Sequence, residues 1–159
     1  MSEGAKILIG VIGAGKCAKK LREQAYQVGA EIAKAGAVVV CGGMKGVMEA
    51  ACQGAKDHDG LTIGIIPTSE KSDANDYCDI IIPSGMGEAR NVLVVNTADV
   101  LISLHGKYGT ISEMSFALKQ KKPLISLVKW DILPEVITIT DPQEAVAKAV
   151  ELAADYVIK

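Results

Sequence analysis

His105-Gly106-Lys107-Tyr108-Gly109-Thr110-Ile111-Ser112-Glu113 follows the short apolar run Val100-Leu101-Ile102-Ser103-Leu104 and leads into Ile111, Met114 and Leu118, spaced as one face of a helix. A strand, a glycine turn and a helix are therefore joined without a linker. The turn falls at the carboxyl end of the strand, the edge of an open α/β sheet where helix N-termini present free N–H groups and a partial positive charge. Such a turn suits an anion.

Outward from this stretch the pattern repeats. Lys6-Ile7-Leu8-Ile9-Gly10-Val11-Ile12 reads as a strand, Gly13-Ala14-Gly15-Lys16 as a turn, and Ala18 to about Ala35 as a helix stopped by Gly36. A second unit runs from Ala37-Val38-Val39-Val40-Cys41 through Gly42-Gly43-Met44-Lys45-Gly46 into a helix ending near Lys56. Leu61 to Ile66 is a third strand, ended by Pro67, and polar Thr68 to Tyr77 reads as a surface loop near the ligand edge. Ile80-Ile81-Ile82-Pro83 is a fourth strand, Ser84-Gly85-Met86-Gly87 a turn, and Glu88 to Thr97 a helix. Beyond the helix from Ile111 to about Gln120, strands are expected at Leu124 to Val128 and Val136 to Ile139. Asp141-Pro142-Gln143-Glu144 then combines an N-cap, proline at the first helical position and glutamate at the third. This alternation predicts a Rossmann-like α/β fold: one domain over residues 1–159, with a mostly parallel sheet of about seven strands between two helical layers.

Composition agrees. Hydrophobic residues make up 49% of the chain with one Trp and one Phe, so the core is built from aliphatic side chains, as buried parallel strands prefer. The formal net charge of −2 leaves no global basic field for nucleic acid or an anionic membrane, and anion recognition has to be local. Cys17, Cys41, Cys52 and Cys78 show no C-x-x-C pairing and read as reduced thiols. With no apolar run of membrane-spanning length and no signal-peptide layout at the start, a soluble cytoplasmic protein is expected. His58 and His105 are too isolated to suggest a metal site or a triad, so no metal ligands are assigned and no cofactor is required for folding. His58 is expected on the surface.

Three features carry chemistry. Gly13-Ala14-Gly15-Lys16-Cys17-Ala18 satisfies a dinucleotide fingerprint, but the second strand ends Val40-Cys41-Gly42-Gly43 without the acid that binds the ribose, which demotes NAD to an alternative. Lys16, Lys45, Arg90 and Lys107 all fall at the carboxyl edge, where a cation opposes the helix dipole by about 0.3–1 kcal/mol unless an anion lies between them. Arg90 reads as functional, whereas Lys16 and Lys45 read equally well as solvated lysines. Glu113 fits a capping box with Thr110 as N-cap, and fits equally a carboxylate that meets ribose hydroxyls or an oxocarbenium-like centre.

The segments Ser84-Gly85-Met86-Gly87-Glu88-Ala89-Arg90-Asn91 and His105 to Glu113, with Cys41-Gly42-Gly43-Met44-Lys45-Gly46-Val47-Met48, resemble the Lonely Guy superfamily. That superfamily, long labelled lysine-decarboxylase-like, includes nucleoside monophosphate phosphoribohydrolases and molybdenum cofactor carrier proteins. The Gly-Met-Gly-Glu-Ala-Arg-Asn form is closer to the carrier-like branch. In the hydrolases the motif reads Pro-Gly-Gly-x-Gly-Thr-x-x-Glu, and its glutamate and the motif arginine, here Glu113 and Arg90, are catalytic. His105 replaces the proline and Lys107 the second glycine, a position where glycine permits positive φ and close approach to phosphate. Gly106, Gly109 and Thr110 are retained.

The resemblance implies binding of a phosphorylated small molecule, a nucleotide or a molybdenum cofactor carried as cargo. Backbone amides from Gly106 to Thr110 would hold the phosphate, with Lys107, Lys16 and Arg90 supplying charge and Gly13, Gly15, Gly42 and Gly43 the floor. The alternative is hydrolysis of a nucleoside monophosphate to free base and ribose 5-phosphate, with Glu113 stabilising positive charge. A homodimer or homotetramer is expected from the same resemblance, with the Val- and Leu-bearing helix from Asn91 to Thr97 available for packing.

Overall fold

The computed structural model describes residues 4–157. Seven strands, β1 (Leu8–Ile12), β2 (Val38–Cys41), β3 (Leu61–Ile66), β4 (Ile80–Pro83), β5 (Val100–Ser103), β6 (Leu124–Ser126) and β7 (Ile137–Thr138), form one sheet in the order β4-β3-β2-β1-β5-β6-β7. Every pairing is parallel, with Ile9 opposite Val39 on one side and Val100 on the other. The helices α1 (Lys19–Lys34), α2 (Val47–Lys56), α3 (Asn91–Thr97), α4 (Tyr108–Lys119) and α5 (Pro142–Val157) cover both faces. The Rossmann-like three-layer fold read from the sequence is the fold observed.

Alternation along the central strands divides the core in two. Ile9 and Val11 of β1, Val39 and Cys41 of β2, and Val100 and Ile102 of β5 pack with α1, α2 and α5. Ile12, Val40 and Leu101 point the other way, against Val94 and Val95 of α3 and Met114 and Ala117 of α4. On the first face α1 and α2 touch backbone to backbone, since a Cβ on Gly29 would fall on the Ala51 carbonyl and one on Gly54 on the Tyr26 carbonyl. This contact draws the N-terminal ends of both helices toward the carboxyl edge of β1 and β2.

The chain winds from β1 to β4 in one direction, then returns to place β5 on the far side of β1. The strand order reverses between β1 and β5. At such a switch point the loops leaving adjacent strands diverge and open a crevice.

Some local expectations change. Helix α4 starts at Tyr108, three residues before the predicted Ile111, because the Lys107 carbonyl already accepts the Ile111 N–H at 2.9 Å. Lys107 is the N-cap and no side chain caps this helix, so the capping box centred on Thr110 does not form. The expected helix from Glu88 to Thr97 divides into a 3-10 turn over Gly87–Arg90 and α3. By contrast, the last helix forms as expected: Asp141 Oδ2 accepts the Glu144 N–H at 2.9 Å, with Pro142 in the first position. Within the loop from Thr68 to Tyr77, Asn75 is buried. Its N–H donates to the Gly43 carbonyl at 2.8 Å and its Nδ2 to the Met44 carbonyl at 2.9 Å, tying the loop to the glycine turn after β2. His58 is half-buried rather than on the surface, with Nδ1 2.9 Å from the Gly54 carbonyl and its ring edge-on to Tyr26.

Candidate functional site

A cleft of about 490 Å³ opens at the switch point, within the range of small-molecule sites. It is lined by Val11 and Ile12 of β1 and the turn Gly13-Ala14-Gly15-Lys16, by Gly42 and Met48, and by Glu88, Arg90 and Asn91. Lys107, Gly109, Thr110 and Glu113 of the turn after β5 and the start of α4 close it. The two glycine turns are tied together by the Ala14 N–H, which donates to the His105 carbonyl at 3.0 Å.

Arg90 sits at the centre of the charge. It is 9% exposed, and a Cβ on Gly42 would lie 2.8 Å from its Cζ and both terminal nitrogens, so the guanidinium lies on bare backbone. Nη1 donates to Asn91 Oδ1 at 2.6 Å, while the buried Nε has no hydrogen-bond partner. Asn91 Nδ2 in turn donates to Ser112 Oγ at 3.2 Å, and Ser112 Oγ donates to the Gly109 carbonyl at 2.6 Å. This relay fixes the start of α3 to the first turn of α4 and sets where the arginine fork points. Among the described residues no carboxylate lies within ion-pair distance of Arg90.

Glu113 projects into the cleft from the second turn of α4 and is 6% exposed. Burial pushes its carboxyl up to about 8, with the Arg90 charge acting to lower it and Glu88 to raise it further. Near neutral pH it is therefore mostly protonated, a hydrogen-bond donor rather than a counter-ion.

Of the residues expected at the site, Gly13, Gly15, Lys16, Gly42, Arg90, Lys107, Gly109, Thr110 and Glu113 line the cleft. Gly43 and Gly106 do not. Gly43 faces Ile66 and Gly64 of β3, and Gly106 is buried against the Thr110 side chain, which a Cβ there would strike. Lys45 is drawn away as well, its Nζ 3.3 Å from Glu49 on the exposed side of α2. At Lys107 the backbone has φ −123°, so the glycine-to-lysine departure demands no left-handed conformation. His105 turns outward to stack on Trp130, ring centroids 6.4 Å apart and planes 16° from parallel. Sequence reasoning passed over Asn91 and Glu88, although both stand in the Ser84-to-Asn91 segment beside Arg90 and that adjacency was the available signal.

Fold and cleft define a Rossmann-like α/β protein with a ligand-sized cavity, floored by glycine turns, at the point where its strand order reverses. The chain belongs to the SLOG cluster4 family, whose model matches residues 6–155. An uncharacterised protein of Archaeoglobus fulgidus is 46% identical over 138 residues, covering 87% of this chain and 91% of that protein. Among solved structures, the molybdenum cofactor binding protein of the phototrophic bacterium Rippkaea orientalis is 38% identical, with a TM-score of 0.85 over 94% of this chain and 98% of that one. The molybdenum cofactor carrier protein of Chlamydomonas reinhardtii is 32% identical, with a TM-score of 0.86 over 95% and 99%. The resemblance to the Lonely Guy superfamily, and within it to the carrier-like branch, is borne out. Among the described residues no helix is long and apolar enough to cross a membrane.

Proposed function

We propose that this protein binds a phosphorylated small molecule, a molybdopterin-type cofactor foremost, in the cleft at the carboxyl edge of β1, β2 and β5, and carries it as cargo. One observation supports this above the others. Arg90 is a buried guanidinium with an unpartnered Nε and, among the described residues, no carboxylate within ion-pair distance, and burying an uncompensated charge costs several kcal/mol. A phosphate supplies the missing charge and acceptors. Arg90, just before α3, engages it together with Lys107 and the N-terminal N–H groups of α4, which close the cleft. Lys16 adds charge at the mouth, Gly13, Gly15 and Gly42 leave room for the cargo, and protonated Glu113 donates a hydrogen bond. The names of the Rippkaea and Chlamydomonas relatives indicate the cargo.

Nucleotide hydrolysis requires an ionised Glu113 to stabilise positive charge, and burial opposes that ionisation. A dehydrogenase reading lacks an acid at the end of β2, where Cys41 and Gly42 stand. Residues 1–159 act as one domain in this reading, and the protein works as a cytoplasmic homodimer or homotetramer, which light scattering after gel filtration checks.

The test is calorimetric titration with molybdenum cofactor, AMP and inorganic phosphate, alongside an assay for released base. Saturable binding that Arg90→Ala weakens, without base release, supports the carrier. Absence of binding by all three ligands rejects it, and base release dependent on Glu113 restores the hydrolase.

A further inference from the structure

Away from the cleft, three cysteines that are far apart in the sequence converge. Cys41 ends β2, Cys52 lies in the middle of α2, and Cys78 precedes β4, and their sulfur atoms all lie within 4.8 Å of one another. Cys41 and Cys52 are fully buried, with Sγ to Sγ at 3.5 Å, and Cys78 is half-buried. Two features hold the sulfurs in place. The Gly43 N–H donates to Cys41 Sγ at 3.3 Å, and Gly64 on β3 leaves space for Cys78, since a Cβ there would lie 2.6 Å from that sulfur.

We propose that Cys41, Cys52 and Cys78 form a binding site for a soft monovalent d10 cation, copper(I) being the biological member of the class. Thiolate donors select soft ions, and the set contains no imidazole or carboxylate. A three-coordinate ion about 2.3 Å from each sulfur needs sulfurs roughly 4 Å apart, so the 3.5 Å Cys41–Cys52 edge has to open slightly while every edge already lies within 4.8 Å. The nearest carboxylate in sequence, Asp79, is already engaged by Lys56 at 2.7 Å and by the Thr62 N–H at 3.0 Å. A tetrahedral divalent ion would want a fourth ligand, and among the described residues no fourth His, Cys, Asp or Glu joins the three sulfurs. On binding, metal–sulfur bonds form, at least two of the three thiol protons leave to solvent, and no electron is transferred.

This site is independent of the cargo reading, although Cys41 directly precedes the Gly42 on which Arg90 rests. The sequence did not expose it, because spacings of 11 and 26 residues match no ligand motif.

The experiment is anaerobic titration of the reduced full-length protein with copper(I) in competition with a chromogenic chelator, following sulfur-to-copper charge-transfer absorption. One equivalent per chain is expected. Cys52→Ser and Cys78→Ser should each weaken binding at least about 100-fold, the upper end of the loss seen when even a supporting outer partner is removed. Cys17→Ser should not change it. Because Cys52→Ser replaces a buried residue, Cys78→Ser with a circular dichroism control decides the matter. No uptake by the wild-type protein, uptake that Cys78→Ser leaves intact, or tighter binding of zinc(II) than copper(I) would each overturn the assignment.

Discussion

The guanidinium of Arg90 lies flat against Gly42, close enough that a Cβ on the glycine would sit 2.8 Å from three of its atoms. Glycine at the end of β2 thus decides where the buried positive charge points. Gly42→Ala should push the fork away from the cleft while leaving its charge present. Charge-assisted hydrogen bonds are worth about 1.5–3 kcal/mol, so affinity for a phosphorylated ligand should fall roughly 10- to 150-fold in calorimetry. An alanine variant that binds as tightly as wild type would show that Arg90 does not contact the ligand.

Glu113 should make both binding and stability depend on pH. Its folded value, about 8, lies above the ordinary 4.5, so its contribution to stability is complete below about 4.5 and is lost as pH rises through 8. Arg90 and Glu88 are the charged groups acting on it, in opposite directions. Ionisation also adds a negative charge beside the bound phosphate. Affinity should therefore fall between pH 7 and 9, a window in which the phosphate itself has already lost its second proton. Glu113→Gln, which cannot ionise, should flatten the affinity profile over that range and the decline of Tm between about pH 4.5 and 8. A pH dependence surviving in the glutamine variant would place its origin elsewhere.

The single tryptophan offers an internal reporter. Trp130 donates from Nε1 to Ser126 Oγ at 3.0 Å and stacks on His105, whose carbonyl accepts the Ala14 N–H from the neighbouring glycine turn. A ligand drawing the two turns together should shift the ring and change Trp130 emission. His105→Ala should abolish that change while holding affinity within about threefold, since the His105 ring makes no part of the cleft wall. Emission responding equally in the alanine variant would mean that the stack does not follow the turns.

The fold was legible because the aliphatic runs and glycine turns are strictly local signals: Leu61–Ile66 and Ile80–Pro83 were read to the residue. Boundaries governed by backbone geometry were less so. Nothing in Tyr108-Gly109-Thr110 announces a helical turn, and the Thr110-to-Glu113 spacing imitates a cap that the structure does not make. At the site, glycine-turn residues such as Gly13, Gly42 and Gly109 and the motif residues Arg90 and Glu113 could be found from pattern alone. Gly43 and Lys45 carried the same pattern but turn away, because the way the chain faces after a strand depends on the next element's packing. Asn75 and the cysteine triangle were invisible for a related reason, each joining segments whose proximity only the sheet order creates.

Lys122 tests how the rear of the α3–α4 wall is held. It is 7% exposed, and its Nζ donates to the Val95 carbonyl at 2.5 Å and the Asn96 carbonyl at 3.3 Å, covering the C-terminal end of α3. A cation there meets the negative end of the helix, and its stem crosses toward Tyr156, whose ring centroid is 6.0 Å from Nζ. Burial holds the ammonium below its ordinary value, with Asp99 opposing that shift, so the charge is retained at a desolvation cost. Lys122→Met keeps the stem but strands two carbonyls, at about 1–3 kcal/mol. For a chain of this size each kcal/mol lowers Tm by about 2–4 °C, so a fall of roughly 2–12 °C is expected. Because α3 starts at Asn91, beside Arg90, ligand affinity should weaken along with stability. A variant with unchanged Tm would show that the buried ammonium costs as much to desolvate as its hydrogen bonds return.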